Sequence, residues 1–274
     1  MLNLKENSLI LLLLNNKFFI FVIGAFVGSF LNVCISRLPE GKSIIYPPSH
    51  CPDCHKNIRW YDNIPLLSYF ILRGRCRYCG KRISPRYLFV ELLTAIIFLL
   101  FYSLYGITEK FFIYLVLFSS LEVAAFIDLK YQIIPDVISV SGIVLGILFS
   151  LIFPEIHQEN SFLSSLQKSF SGLIIGGGMI WLTGFLGKLV FKKEAMGFGD
   201  VKLMAMLGSF LGVKKIVLTF FLAPFFGLIF GIFYFLRTKS HYIPYGPFLI
   251  LSALISLVWG ENIWLLIIPK GIIY

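Results

Sequence analysis

Two aspartates stand out among the ionisable residues of this chain for what surrounds them. Asp128 lies in Phe126-Ile127-Asp128-Leu129-Lys130 at the close of a long apolar stretch, and Asp200 lies in Gly197-Phe198-Gly199-Asp200-Val201-Lys202 at the opening of another. A carboxyl group at membrane depth is costly, and it marks a place that handles a proton, an ion or a substrate. Two further apolar stretches separate the pair in sequence, and an even number of crossings returns the chain to the same face. Asp128 and Asp200 can therefore meet at one depth. Two carboxyls that share a site do not both ionise readily, so one keeps a proton. The carboxylate can then activate water while the acid polarises a carbonyl, which is the chemistry of an aspartic dyad. The same pair could instead line a proton or cation pathway of a membrane transporter. Gly197 and Gly199 leave room beside Asp200 for the backbone of an extended substrate.

The other acids in apolar surroundings are Glu91, Glu122, Asp136 and Glu261. Asp136 follows Pro135, and Pro–Asp in the first turn of a helix has a sufficient structural explanation. Glu91 is placed to pair with Arg86, Glu122 to face a polar cavity or pair internally, and Glu261 to reach the interface. The chain holds no H-E-x-x-H, and its histidines are His50, His55, His157 and His241, so a metal-dependent peptidase has no motif to rest on.

Four cysteines form a second constellation: Cys51-x2-Cys54 and, after a short insert, Cys76-x2-Cys79. Two such knuckles suit a tetrahedral zinc ion, and four thiolates close its coordination sphere, which makes the metal structural. The competing reading is two disulfides. Segment 37–86, which carries the cysteines, holds ten Lys/Arg (Arg37, Lys42, Lys56, Arg59, Arg73, Arg75, Arg77, Lys81, Arg82, Arg86) against Glu40, Asp53 and Asp62. By the positive-inside rule this segment is cytoplasmic, where disulfides are rare. A stretch this polar has little core, so the metal supplies much of its folding free energy. Cys34, alone in the first apolar stretch, reads as a small core residue.

The elements that must hold these groups follow from composition. Of 274 residues, 58% are hydrophobic and 14% charged, with a mean hydropathy of +0.85. A soluble domain carries about 25% charged residues. The chain is therefore an all-α polytopic membrane protein embedded in a lipid bilayer, and disorder, coiled coil and secreted scaffold are excluded. At about 20 apolar residues per crossing, spans are expected near 16–36, 87–106, 110–128, 134–153, 169–191, 198–213, 215–236 and 247–268. The organisation is then a first helix (1–36), a small cytoplasmic zinc-binding domain (37–86) and a helical membrane domain (87–274). The Leu9–Leu14 run has no small-residue cleavage site after it and is not read as a signal peptide. The net charge of +10 comes mostly from segment 37–86 and marks topology, with both termini outside; no nucleic-acid partner is expected. The remaining inward and outward loops carry seven basic residues each, so the orientation rests on the one loop.

These residues, in this order, resemble the type IV prepilin peptidases (leader peptidase/N-methyltransferases) of type IV pilus and type II secretion systems. Gly28-Ser29-Phe30-Leu31-Asn32-Val33 with Arg37-Leu38-Pro39 is similar to the family's first-helix exit. The paired C-x-x-C knuckles, the Tyr61–Tyr69 segment between them, Ile83–Tyr87 and Val90–Ala95 resemble its zinc loop and the segment leading into its second helix. Asp128 with Ile134-Pro135-Asp136 is similar to its first aspartate motif, and Gly197–Lys202 to its GxGD motif. The resemblance implies an aspartic endopeptidase of the bacterial cytoplasmic membrane that cuts prepilins or pseudopilins after a Gly, with Asp128 and Asp200 as the catalytic pair. It also implies methylation of the new α-amine by S-adenosylmethionine, since relatives that only cut lack the cysteine loop. No glycine-rich nucleotide fingerprint assigns residues to the methyl donor.

Overall fold

Many of the apolar stretches carry small or hydroxyl-bearing residues at helical spacing, with bulky ones between them. In a bilayer such small faces turn toward neighbouring helices, because van der Waals contact between close backbones drives association there. The computed structural model describes residues 16–192, 196–238 and 244–267. Its long elements are α1 (Lys17–Arg37), α3 (Pro85–Tyr105), α4 (Glu109–Tyr131), α5 (Asp136–Ile152), α6 (Phe162–Phe191), α7 (Phe198–Thr238) and α8 (Gly246–Ile267), with a short α2 (Leu67–Ile71) inside the polar segment. Among the described residues there is no strand. The Leu9–Leu14 run and position 268, the expected end of the last span, lie outside the described residues.

Six of these helices are long and apolar enough to cross a membrane, and α5 is a shorter apolar helix. Gly212 breaks α7 with φ 70° and ψ 176°, a conformation that a residue with a Cβ rarely adopts. The two arms of α7 correspond to the expected sixth and seventh spans, so the all-α reading with about eight helical segments holds. Two boundaries differ by three residues or more, the others by one or two at most. α4 runs on to Tyr131, and α6 begins at Phe162 rather than 169. The Ser164, Gln167 and Lys168 side chains lower hydropathy there without disturbing helical hydrogen bonding.

The chain divides into two compact units between Val123 and Ala124, inside α4. In the first unit, Gly24 and Gly28 of α1 lie directly against α3. A Cβ on Gly24 would stand 2.7 Å from the Ala95 Cα, and one on Gly28 would stand 2.7 Å from the Glu91 Cα. This is the small-x-x-x-small device for bringing two backbones together.

In the second unit, the first arm of α7 is held between helices of the same type. Gly172 of α6 abuts the Gly208 carbonyl, where a Cβ would come to 2.2 Å, and Gly142 and Gly146 of α5 receive Met206 and Ser209. Leu203, Met204, Met206, Leu207 and Phe210 are buried as a result. Phe170, Ile174, Trp181 and Phe185 on α6 point outward, an apolar face suited to lipid.

The break at Gly212 leaves helix carbonyls without their usual N–H donors, and buried polar groups must be satisfied. Ser169 Oγ donates to the Ser209 carbonyl at 2.9 Å, and the His157 ring also bonds there. His157, in a 3-10 turn spanning Pro154–His157, is 7% exposed, and burial pulls it down from 6.5 to about 4. Well above pH 6.5 the ring is neutral in the folded and unfolded chain alike. As pH falls toward 4, the unfolded chain takes up a proton that the fold excludes, so stability is lost through that window. The melting temperature in detergent is expected to fall between pH 6.5 and 4, and His157→Gln to flatten the slope.

Candidate active site and metal centre

Both aspartates belong to the second unit, on helix termini that converge. Asp128 sits in the last turn of α4, which closes where Gln132 turns to φ 56° and its N–H donates to the Asp128 carbonyl at 2.9 Å. Asp200 sits in the first turn of α7, its N–H bonded to the Gly197 carbonyl at 3.1 Å. Asp128 is 6% exposed and Asp200 is part-buried. The two carboxyls lie within electrostatic reach of each other.

Ile134, in the link to α5, packs between the two halves of the site. A Cβ on Gly199 would stand 3.3 Å from the Ile134 Cβ, so the bare Gly199 makes room for Ile134 rather than for a substrate. Gly197 is different: it is exposed, and the nearest atom to its missing side chain is Asp200 Oδ2 at 3.6 Å. Open space beside the acid is therefore at Gly197.

Sequence reasoning missed the segment that completes this end of the unit. The Gly246 N–H, at the start of α8, donates to Asp128 Oδ2 at 3.0 Å across 118 residues of sequence. Tyr245 stands near enough to Asp200 to feel its charge; burial first, then that charge, pushes its phenol up to about 12. The signal available was Tyr245-Gly246-Pro247 opening the last apolar stretch, a helix-start pattern that carries no hint of a partner.

Asp136 opens α5, as its position after Pro135 suggested, and it also accepts an ion pair from Lys202 Nζ at 2.7 Å. Asp136 is largely exposed, so the pair is worth about 0–1 kcal/mol and is a light tie between the starts of α5 and α7. In the first unit, Glu91 turns to the polar segment rather than to Arg86: the Leu66 N–H donates to its Oε2 at 2.7 Å, and Ser29 also bonds to it. Glu122 pairs internally, with Thr94 Oγ1 at 2.9 Å from its Oε2. Glu261 is exposed and Cys34 is buried as a free thiol.

The four cysteines come together through two knuckles of matching construction. His55 N–H donates to the Cys51 carbonyl and Gly80 N–H to the Cys76 carbonyl, each at 2.9 Å, with His55 and Gly80 both at positive φ. An ion pair between Lys81 and Asp53 at 2.7 Å joins one knuckle to the other. The four Sγ atoms lie within 4.8 Å of one another, with Cys51–Cys79 at 3.8 Å and Cys54–Cys76 at 4.0 Å. Sulfurs around a tetrahedral ion with bonds of about 2.3 Å stand about 3.8 Å apart, whereas a disulfide requires about 2.05 Å. The set fits a thiophilic metal, and all four are free thiols. Backbone N–H groups of Cys79 and then Tyr78 point at the Cys76 sulfur and push it down to about 7, toward the thiolate that binds a metal.

Residues 22–105 match the family described as bacterial peptidase A24 N-terminal domain, and residues 115–232 match the type IV leader peptidase family. A prepilin leader peptidase/N-methyltransferase of Myxococcus xanthus is 41% identical over 80% of this chain, which spans 63% of that relative's length. Proteins of the same name from Pseudomonas putida and Pseudomonas aeruginosa are 34% and 35% identical, covering 89% and 88% of this chain and 90% of each relative. No solved structure gives a significant match.

Proposed function

This chain belongs to the type IV leader peptidase family, a family of peptidases and methyltransferases, and on that premise we propose that it is a bifunctional prepilin-processing enzyme of the bacterial cytoplasmic membrane. It removes the leader of a prepilin or pseudopilin after a Gly at the cytosolic face, then methylates the exposed α-amine with S-adenosylmethionine. The observation that carries the peptidase half is the nearness of Asp128 and Asp200, two carboxyls on different helix ends within electrostatic reach of each other. One carboxylate takes a proton from water as it attacks the scissile carbonyl; the other, as the acid, donates to the carbonyl oxygen. The open side at Gly197 lets an extended peptide backbone lie against Asp200.

Cys51, Cys54, Cys76 and Cys79 would hold a structural zinc ion, which organises segment 37–86 and takes no part in peptide cleavage. We assign this segment to the methyltransferase half and 87–274 to the peptidase half. The methyl donor supplies an electrophilic methyl group; no residue is assigned to it. The test is mass analysis of a prepilin after incubation with the purified protein in nanodiscs. Loss of the leader after a Gly, followed by gain of one methyl group when S-adenosylmethionine is added, is expected. An uncut prepilin in the presence of folded protein would refute the assignment.

A further inference from the structure

The first turn of α8 has its donors divided in an informative way. Helix N-termini present N–H groups without intrahelical acceptors. Here Phe248 and Leu249 donate to the Tyr245 carbonyl at 3.1 and 3.2 Å, Pro247 has no N–H, and Gly246 donates to Asp128 Oδ2. The Asp128 carboxyl thus takes the part of a capping side chain, supplied from another helix.

Gly246 also fills its position for a reason of space. Its φ is not in the left-handed region, so backbone conformation does not call for glycine. A Cβ there would stand 2.7 Å from Asp128 Oδ2, 3.3 Å from its Cγ and 3.4 Å from Ile134 Cδ1. Any side chain would push the carboxyl away from the donor that holds it. Ile134 is the same residue that packs on Gly199 beside Asp200, so displacement on one side presses on the other.

We propose that Gly246 is a positioning residue for Asp128: its N–H fixes the orientation of the carboxyl toward Asp200, and its bare α carbon keeps that place clear. The inference rests on the reading of Asp128 as catalytic. Tyr245, the preceding residue, lies within electrostatic reach of Asp200, so the 245–246 junction faces both members of the pair.

The two roles separate by chemistry. Glycolic acid introduced at position 246 replaces the N–H by an ester oxygen and adds no side chain; Gly246→Ala keeps the N–H and adds the Cβ. Cleavage of a prepilin by the full chain in nanodiscs is followed for kcat and KM, alongside melting temperature. Loss of a hydrogen bond to a charged acceptor should lower kcat about tenfold or more in the ester variant, with KM within about twofold because substrate binding is untouched. Gly246→Ala should show the same split. Wild-type kcat in the ester variant would overturn the proposal, even if Gly246→Ala fails to fold. So would a joint loss of kcat, substrate affinity and melting temperature, the mark of a structural role. Asp128→Asn is run in parallel: if it cuts normally, the catalytic reading itself fails, whereas an inactive Asp128→Asn beside a normal ester variant removes only the positioning role.

Discussion

Asp128→Asn and Asp200→Asn are each expected to lower kcat/KM for prepilin cleavage by about a thousandfold or more, within the range lost when general acid–base catalysis is removed. The substitution is close to isosteric. Asn still offers an oxygen to the Gly246 N–H, so Asp128→Asn keeps that contact and should keep the fold. What it cannot do is exchange a proton with water or with the carbonyl oxygen. The pair acts as a unit, so the double variant should be little worse than either single one. Methyl transfer to a pilin already cut should persist in all three, since that activity is assigned to segment 37–86. Precursor size on a gel, in cells and with purified protein, reads the result. Leader removal at the wild-type rate by either single variant would sink the peptidase assignment.

Metal removal carries the second large effect. The purified protein should contain about one zinc ion per chain, as four thiolates complete one tetrahedral site. Cys76→Ser should lose most of it, because three thiolates no longer close the tetrahedral site. Binding free energy in such loops is largely folding free energy, on the order of 10 kcal/mol or more. Segment 37–86 should then become sensitive to protease, with methylation lost and leader cleavage retained. Elemental analysis and limited proteolysis read both ends of this prediction. A metal-free protein with intact disulfides would overturn the zinc site and, with it, the cytosolic placement of the loop. Loss of cleavage on metal stripping would return the metal to the reaction.

The legibility of the candidate site in the sequence was uneven, for definite reasons. Helix parity brought Asp128 and Asp200 to one face because it depends only on counting crossings. Cys51, Cys54, Cys76 and Cys79 could be read together because each knuckle is a local turn whose two thiols are set by the C-x-x-C spacing. Gly199 was misread as open space, since the residue that occupies it, Ile134, comes from a distant link. Glu91 was matched to Arg86, a neighbour in sequence, while its partner Leu66 lies 25 positions away in the polar segment. The start of α6 was placed late because hydropathy falls at Ser164, Gln167 and Lys168, although a helix needs no hydropathy to continue.

The sequence by itself determined a membrane-type helical protein, four cysteines that gather into one cluster and two acids that come within electrostatic reach of each other. Those are consequences of solvent transfer, ligand spacing and helix length, which act over a few residues or turns and leave their mark locally. Only the tertiary structure decided how the acids are held. The N–H that Asp128 receives, the wedge of Ile134, and the clamp of glycines on the first arm of α7 all arise between segments far apart in the chain. Close packing of small residues sets those distances, and a glycine carries no sign of which surface it will meet.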